Sequence, residues 1–217
     1  MNIELIRCNS INHGGLRGRN VSYIVVHYTG VAGDTARNNC KYFARADTGK
    51  TSAHYFVDEK EVLQSVPDEY IAYHCGGYTY FHDECRNGNS IGVEICTKHD
   101  GSAYTFHPEA VVRAQELIRQ LMEKYDVPAE NVVRHYDVTH KLCPAPFCGE
   151  GLPLWEEFKG GLVMYKTIEN VPDWAKPTVE KLVEKEYLQG DLNGALNLTN
   201  DMTRVLVVLD RAGVFEK

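Results

Sequence analysis

Five side chains in this sequence have the types and settings for hydrolytic chemistry at a metal ion. His27 lies inside the apolar run Val25-Val26-His27-Tyr28, His135 follows Val132-Val133-Arg134, and Cys143 comes eight residues later, directly before Pro144. Two imidazoles and a thiolate are ligands that zinc prefers. Three of them leave a fourth position open for water, as in catalytic rather than structural sites. Glu94 stands mid-strand in Ile91-Gly92-Val93-Glu94-Ile95. A carboxylate among buried neighbours needs a partner, and beside an activated water it can serve as general base. Lys141, two residues before Cys143, can stabilise developing oxyanion charge. Each residue also has a plainer reading. A lone strand histidine is more often hydrogen-bonded core, a buried cysteine is usually inert packing, a buried glutamate can pair with an arginine, and most lysines are solvated. No C-x-x-C spacing decides between these readings.

The elements that must position these residues alternate along the chain. Residues 22–29 and 90–96 read as buried strands, and residues 53–66 as two β-rich runs joined by Asp58-Glu59-Lys60 into a hairpin. Residues 34–46 carry apolar positions at roughly helical spacing, and residues 75–89, rich in Gly, Tyr and Asn, read as a long loop. Pro108 opens a helix whose expected apolar face holds Val111, Val112, Leu117, Ile118, Leu121, Met122 and Tyr125. Residues 131–134 predict a short strand running into His135, and Leu154–Phe158 a short helix. The fold class expected is α/β, a central mixed β-sheet flanked by helices, with a small helical C-terminal unit. The expected division is residues 1–158, a linker at 159–165 around Lys159-Gly160-Gly161, and a unit at 166–217 with helices at Trp174–Tyr187 and Asp201–Ala212.

Composition narrows the partners. The chain has 217 residues, 43% of them hydrophobic, and a formal net charge of −7; this suffices for a real core and gives no basic footprint for nucleic acid. No window approaches the length of a membrane span. The start MNIELIRCNSINHGG lacks a basic segment followed by an apolar run. The expectation is a protein cytoplasmic when made, acting elsewhere only after release. The seven cysteines are odd in number and widely spaced, which argues for reduced thiols rather than a disulfide framework.

Four segments in order resemble the type 2 N-acetylmuramoyl-L-alanine amidases, a family that includes phage endolysins, bacterial autolysins and peptidoglycan recognition proteins. They are Val25-Val26-His27-Tyr28-Thr29, Ser52-Ala53-His54-Tyr55-Phe56-Val57, Ser90-Ile91-Gly92-Val93-Glu94, and Arg134-His135-Tyr136-Asp137-Val138 with Lys141-Leu142-Cys143-Pro144. The likeness runs from about residue 20 to residue 147. It implies one Zn2+ ion on His27, His135 and Cys143, Glu94 activating or positioning water, and Lys141 as the transition-state cation. Some relatives use a tyrosine from the hairpin instead of the glutamate; here Ala53 stands about there, so the role falls to Glu94. His140 replaces a small residue often seen before the lysine. The resemblance further implies cleavage of the amide between N-acetylmuramic acid and L-alanine of bacterial peptidoglycan. The alternative is a non-catalytic peptidoglycan receptor on the same fold. A cysteine hydrolase using Cys75 or Cys143 is a third reading. His74 and Tyr78 are expected to contact substrate, with packing of the loop as the plainer alternative, and His54 is expected to have a supporting role. Residues 168–213 resemble one S-layer-homology-type motif, which implies wall binding, oligomerisation or a structural cap.

Overall fold

The structure, a computed structural model, describes residues 3–46 and 48–216. The chain divides into two compact units between Glu156 and Glu157.

The first unit is built on a seven-stranded sheet. Its strands are β1 (Glu4–Leu5), β3 (Tyr23–Ala32), β4 (Tyr55–Val57), β5 (Val62–Gln64), β7 (Ser90–His99), β8 (Tyr104–Phe106) and β9 (Val132–Arg134), in the order β1-β5-β4-β7-β3-β9, with β8 also on β7. A short pair of β2 (His13–Leu16) and β6 (Tyr70–Ala72) lies apart. β4, β7, β3 and β9 run parallel to their neighbours, whereas β4–β5 is the antiparallel hairpin and β8 folds back antiparallel on β7. The central strands β3 and β7 are almost continuously apolar because both faces are covered, as expected of parallel strands.

Register decides what faces where. Tyr23, Val25 and His27 pair with Ser90, Gly92 and Glu94, so these alternate residues share one face, while Ile24, Val26, Ile91, Val93 and Ile95 line the other and are fully buried. Helix α2 (Pro108–Tyr125) packs against β3, β4 and β7. Its buried residues are Ala110, Ala114, Leu117, Ile118 and Leu121. The expected face was therefore rotated: Val112 is 59% exposed, because two small alanines, which a hydrophobicity count underweights, let the helix lie close to the sheet. Helix α1 (Ala36–Phe43) covers the site side of β4 and β5, with Ala36, Cys40, Phe56 and Leu63 in one cluster. Thr35 caps its first turn by accepting from Asn38 N–H.

Asp68 locks the hairpin to α2. Its buried carboxylate accepts from Tyr55 Oη at 2.7 Å, Gln64 Nε2 at 2.9 Å, Lys124 Nζ at 2.8 Å and Tyr125 Oη at 2.6 Å. Asp68→Ala strips four donors of their acceptor at once, two of them phenols partly shielded from water. Denaturant unfolding is expected to show a loss of about 2–4 kcal/mol; a midpoint equal to wild type would mean water replaces the carboxylate without cost.

The second unit holds an antiparallel pair, β10 (Met164–Tyr165) with β11 (Leu198–Thr199), and helices α5 (Lys176–Glu184) and α6 (Asn200–Arg211). Its core gathers Val171, Ala175, Val179, Leu198 and Val207. Asp210 ties α6 to α5 through Thr178 Oγ1 and Lys181 Nζ. The 159–165 segment expected as a linker is instead the end of α4 (Leu152–Gly160) followed by β10. The glycines there misled: Gly160 closes a helix, and Met164 and Tyr165 find a strand partner about 34 residues on. No helix among the described residues is long and apolar enough to cross a membrane.

Candidate metal centre

The carboxyl ends of three parallel strands converge on one point, the place where open α/β sheets characteristically bind ligands. His27 lies toward the end of β3, with Glu94 as its register partner on β7. β9 pairs Arg134 with Val26, so the next residue, His135, arrives beside His27 as β9 turns into helix α3 (His135–Thr139). The turn after α3 brings back Cys143. That turn is pinned: Tyr136 N–H donates to the Cys143 carbonyl at 2.8 Å, and Arg134 holds Asp137 with two nitrogens while Nη1 reaches the Phe147 carbonyl at 2.7 Å. The Arg134 guanidinium sits over Tyr136 and Trp155, which fixes both ends of the loop.

One ligand atom each of His27, His135 and Cys143 lies within 4.8 Å of the other two, and all three residues are buried. The Cys143 Sγ is 3.6 Å from His27 Nδ1, so this nitrogen faces the cluster. Neither ring nitrogen of His135 has a hydrogen-bond partner of normal geometry, although both are sealed from solvent. Two orphaned nitrogens beside a sulfur are costly unless something binds them, and an N/N/S set fits a borderline-soft cation such as zinc. Burial holds the imidazoles neutral, as ligands must be. It pushes His27 well below its ordinary value, with His74, His135 and Lys141 adding to the effect. It takes His135 down to about 4, helped by Lys141 and opposed by Cys75 and, less, by the Gly76 backbone.

Glu94 faces the same cavity. Its Oε2 is buried without a partner, while another part of the side chain stays open to the cleft. Burial pushes this carboxyl up to about 8, with Lys141 opposing and Asp34 adding. No arginine pairs with it among the described residues, contrary to the plainer sequence reading. Lys141 is exposed at the rim and lines the cavity. The cavity, about 340 Å3, is walled by His27, Glu94, Lys141 and Cys143 together with Thr29, Ser52, Tyr73 and His74.

The raised Glu94 carboxyl gives a pH signature. In metal-free protein its folded value exceeds the ordinary 4.5, so the folded state holds a proton that the unfolded chain has lost. Stability is then present below pH 4.5 and falls as pH rises toward about 8. Glu94→Gln cannot titrate there, and the neighbouring histidines cancel in the comparison. The stability difference between the two metal-free proteins is expected to grow by about 2–4 kcal/mol between pH 5 and pH 8, in favour of the glutamine. Parallel pH–stability curves would show the carboxyl to be hydrated.

The sequence-expected contacts of the 75–89 loop fall differently. His74 does line the cavity, but Nδ1 lies 3.0 Å from His27 Nε2 and Nε2 lies 3.1 Å from Ser90 Oγ. Tyr78 stands wholly in solvent, outside the cavity wall. Phe81 stacks on His140 and Tyr80 lies under the Arg86 guanidinium. His54 is held on both sides: it accepts Gly92 N–H at Nδ1, and its Nε2 lies 2.9 Å from Arg17 Nη2 and 3.2 Å from the Tyr70 carbonyl. Tyr73, Thr29 and Ser52 were missed as wall residues; Thr29 alone had a signal, two residues beyond His27 on the same strand. Cys75 is fully buried and out of reach of a substrate carbonyl. The Cys143 thiol is pushed up to about 12 by burial and by Glu94, which makes it a poor nucleophile without a cation beside it.

A mixed sheet gathers two imidazoles, a thiol and a carboxyl at its strand ends, a set that could hold a metal ion on an α/β scaffold. Residues 17–146 match the family described as N-acetylmuramoyl-L-alanine amidase, and the chain belongs to that family. It is 37% identical over 159 residues to the N-acetylmuramoyl-L-alanine amidase CwlL of Bacillus licheniformis, covering 70% of this chain and 43% of that protein. It is likewise 37% identical over 155 residues to the amidase BlyA of Bacillus subtilis, covering 65% and 41%. The chain thus spans less than half the length of these relatives. Among solved structures, the catalytic domain of XlyA aligns with a TM-score of 0.63 at 31% identity, over 75% of this chain and all of that one. PlyL aligns at 0.58 and 26% identity. The family match stops short of the second unit.

Proposed function

We propose that this chain hydrolyses the amide bond between N-acetylmuramic acid and L-alanine in bacterial peptidoglycan, with one Zn2+ held by His27, His135 and Cys143. The observation that carries the reading is the convergence of these three ligands within 4.8 Å beside an unpartnered Glu94 carboxylate oxygen. When bound, Zn2+ supplies Lewis-acid chemistry, polarising a carbonyl and lowering the pKa of water from about 15.7 toward about 7. Glu94 takes the proton from the attacking water and returns it to the departing alanine nitrogen, a role open to a carboxyl that faces the cavity without another partner. Lys141, at the rim, places a cation where carbonyl oxygen charge develops. The wall of Thr29, Ser52 and Tyr73 offers hydroxyls to a polar sugar and peptide. The presence of Glu94, Lys141 and Cys143 together favours hydrolysis over a receptor that only binds wall. Purified walls digested with the protein should release N-terminal alanine and free lactyl groups, and chelator should prevent it. Wall binding with no new amino termini would replace this reading with the receptor.

A further inference from the structure

His27 has two ring nitrogens, and the reading above needs Nδ1 without a proton. A relay behind the site decides this. Ser90 Oγ lies 2.7 Å from the Arg86 carbonyl. That carbonyl can only accept, so it takes the single hydroxyl proton. Ser90 Oγ must then accept from His74 Nε2 at 3.1 Å. With its proton on Nε2, His74 presents the lone pair of Nδ1, which accepts from His27 Nε2 at 3.0 Å. His27 Nδ1 is left bare and faces Cys143 Sγ.

The molecule is shaped to keep His74 in this relay. Gly92 lies directly under its ring: a Cβ there would meet His74 Cγ at 2.5 Å and Nδ1 at 2.7 Å. Asn87 Oδ1 accepts the backbone N–H of both His74 and Cys75, which fixes the chain on either side. His54 packs edge-on against the ring at 5.6 Å and is itself held by Gly92 N–H. Ser90 and His74 are both buried. With both nitrogens engaged, the His74 ring has no polar atom left for a substrate.

We propose that His74, backed by Ser90, is a positioning residue that fixes the tautomer of His27 and so presents Nδ1 to the metal. The inference rests on the metal-holding role of His27. Outer partners of ligating histidines typically contribute about 10–100-fold to metal affinity. The test uses the full chain and Zn2+ in competition with a chromophoric chelator. His74→Leu should weaken zinc binding about 10–100-fold. His74→Asn, whose Oδ1 can stand in for Nδ1 as acceptor, should recover much of that. Ser90→Ala, which keeps the ring and its packing, should give a smaller loss and remains usable if His74→Leu fails to fold. Long-range 1H–15N spectra of the metal-free wild type should show the His27 proton on Nε2, and Ser90→Ala should mix the tautomers. Equal zinc affinity across the folded variants, or a His27 proton on Nδ1 in the wild type, would overturn the proposal. Absence of zinc binding by the wild type would instead sink the metal reading, while the spectra still decide the tautomer.

Discussion

Glu94→Gln is expected to lower the rate of wall hydrolysis by about 10²–10⁴-fold while zinc content and fold remain unchanged. The substitution is nearly isosteric and keeps an oxygen facing the cavity, so it removes little besides the ability to carry a proton. In energetic terms the loss corresponds to about 2.7–5.4 kcal/mol of transition-state stabilisation. The buried, unpartnered Oε2 makes this a large effect: among the described residues no other carboxylate lines the cavity wall to take over. Single-turnover release of N-terminal alanine would measure it. Hydrolysis within a few-fold of wild type would remove Glu94 from the chemistry and leave proton transfer to solvent.

Removal of the metal is expected to be the other large effect. Dialysis against a chelator should reduce hydrolysis to background, and added Zn2+ should restore it. The same treatment should lower stability, because a ligand that binds only the folded state contributes about 2.7 kcal/mol at a hundredfold excess over its Kd. The metal-free protein also keeps two unsatisfied nitrogens of His135 in its interior. Cys143→Ser tests the thiolate ligand directly. A hydroxyl is a much poorer zinc ligand than a thiolate, so the variant should lose metal on dialysis and melt near the metal-free wild type. Full metal retention would show that Cys143 only packs.

The legible parts of this molecule were those whose chemistry is local. An imidazole inside Val25-Val26-His27-Tyr28 and a carboxylate inside Ile91-Gly92-Val93-Glu94-Ile95 announce themselves because their neighbours are buried. The strands and the hairpin followed from β-branched runs and turn residues. What stayed hidden depends on register and rotation. That Ser90 and Gly92 stand behind the metal site follows only from their sharing a strand face with Glu94 and lying opposite Tyr23 and Val25. The turn of α2 toward its alanines depends on how near the helix approaches the sheet, which no periodicity encodes. Tyr78, a contact residue by type and neighbourhood, is carried by its loop into solvent and outside the cavity wall, a placement its sequence does not encode.

Two of the three ligands hang from β9, a three-residue strand at one margin of the sheet, bonded on one side only to β3. Margins fray first, and short ones most readily. An ion held as proposed, by His27 on the interior strand and by His135 and Cys143 beyond the margin, would act as a clasp across that seam. Amide exchange along 132–143 therefore becomes a gauge of occupancy, slow when the clasp is shut and fast when it is lost.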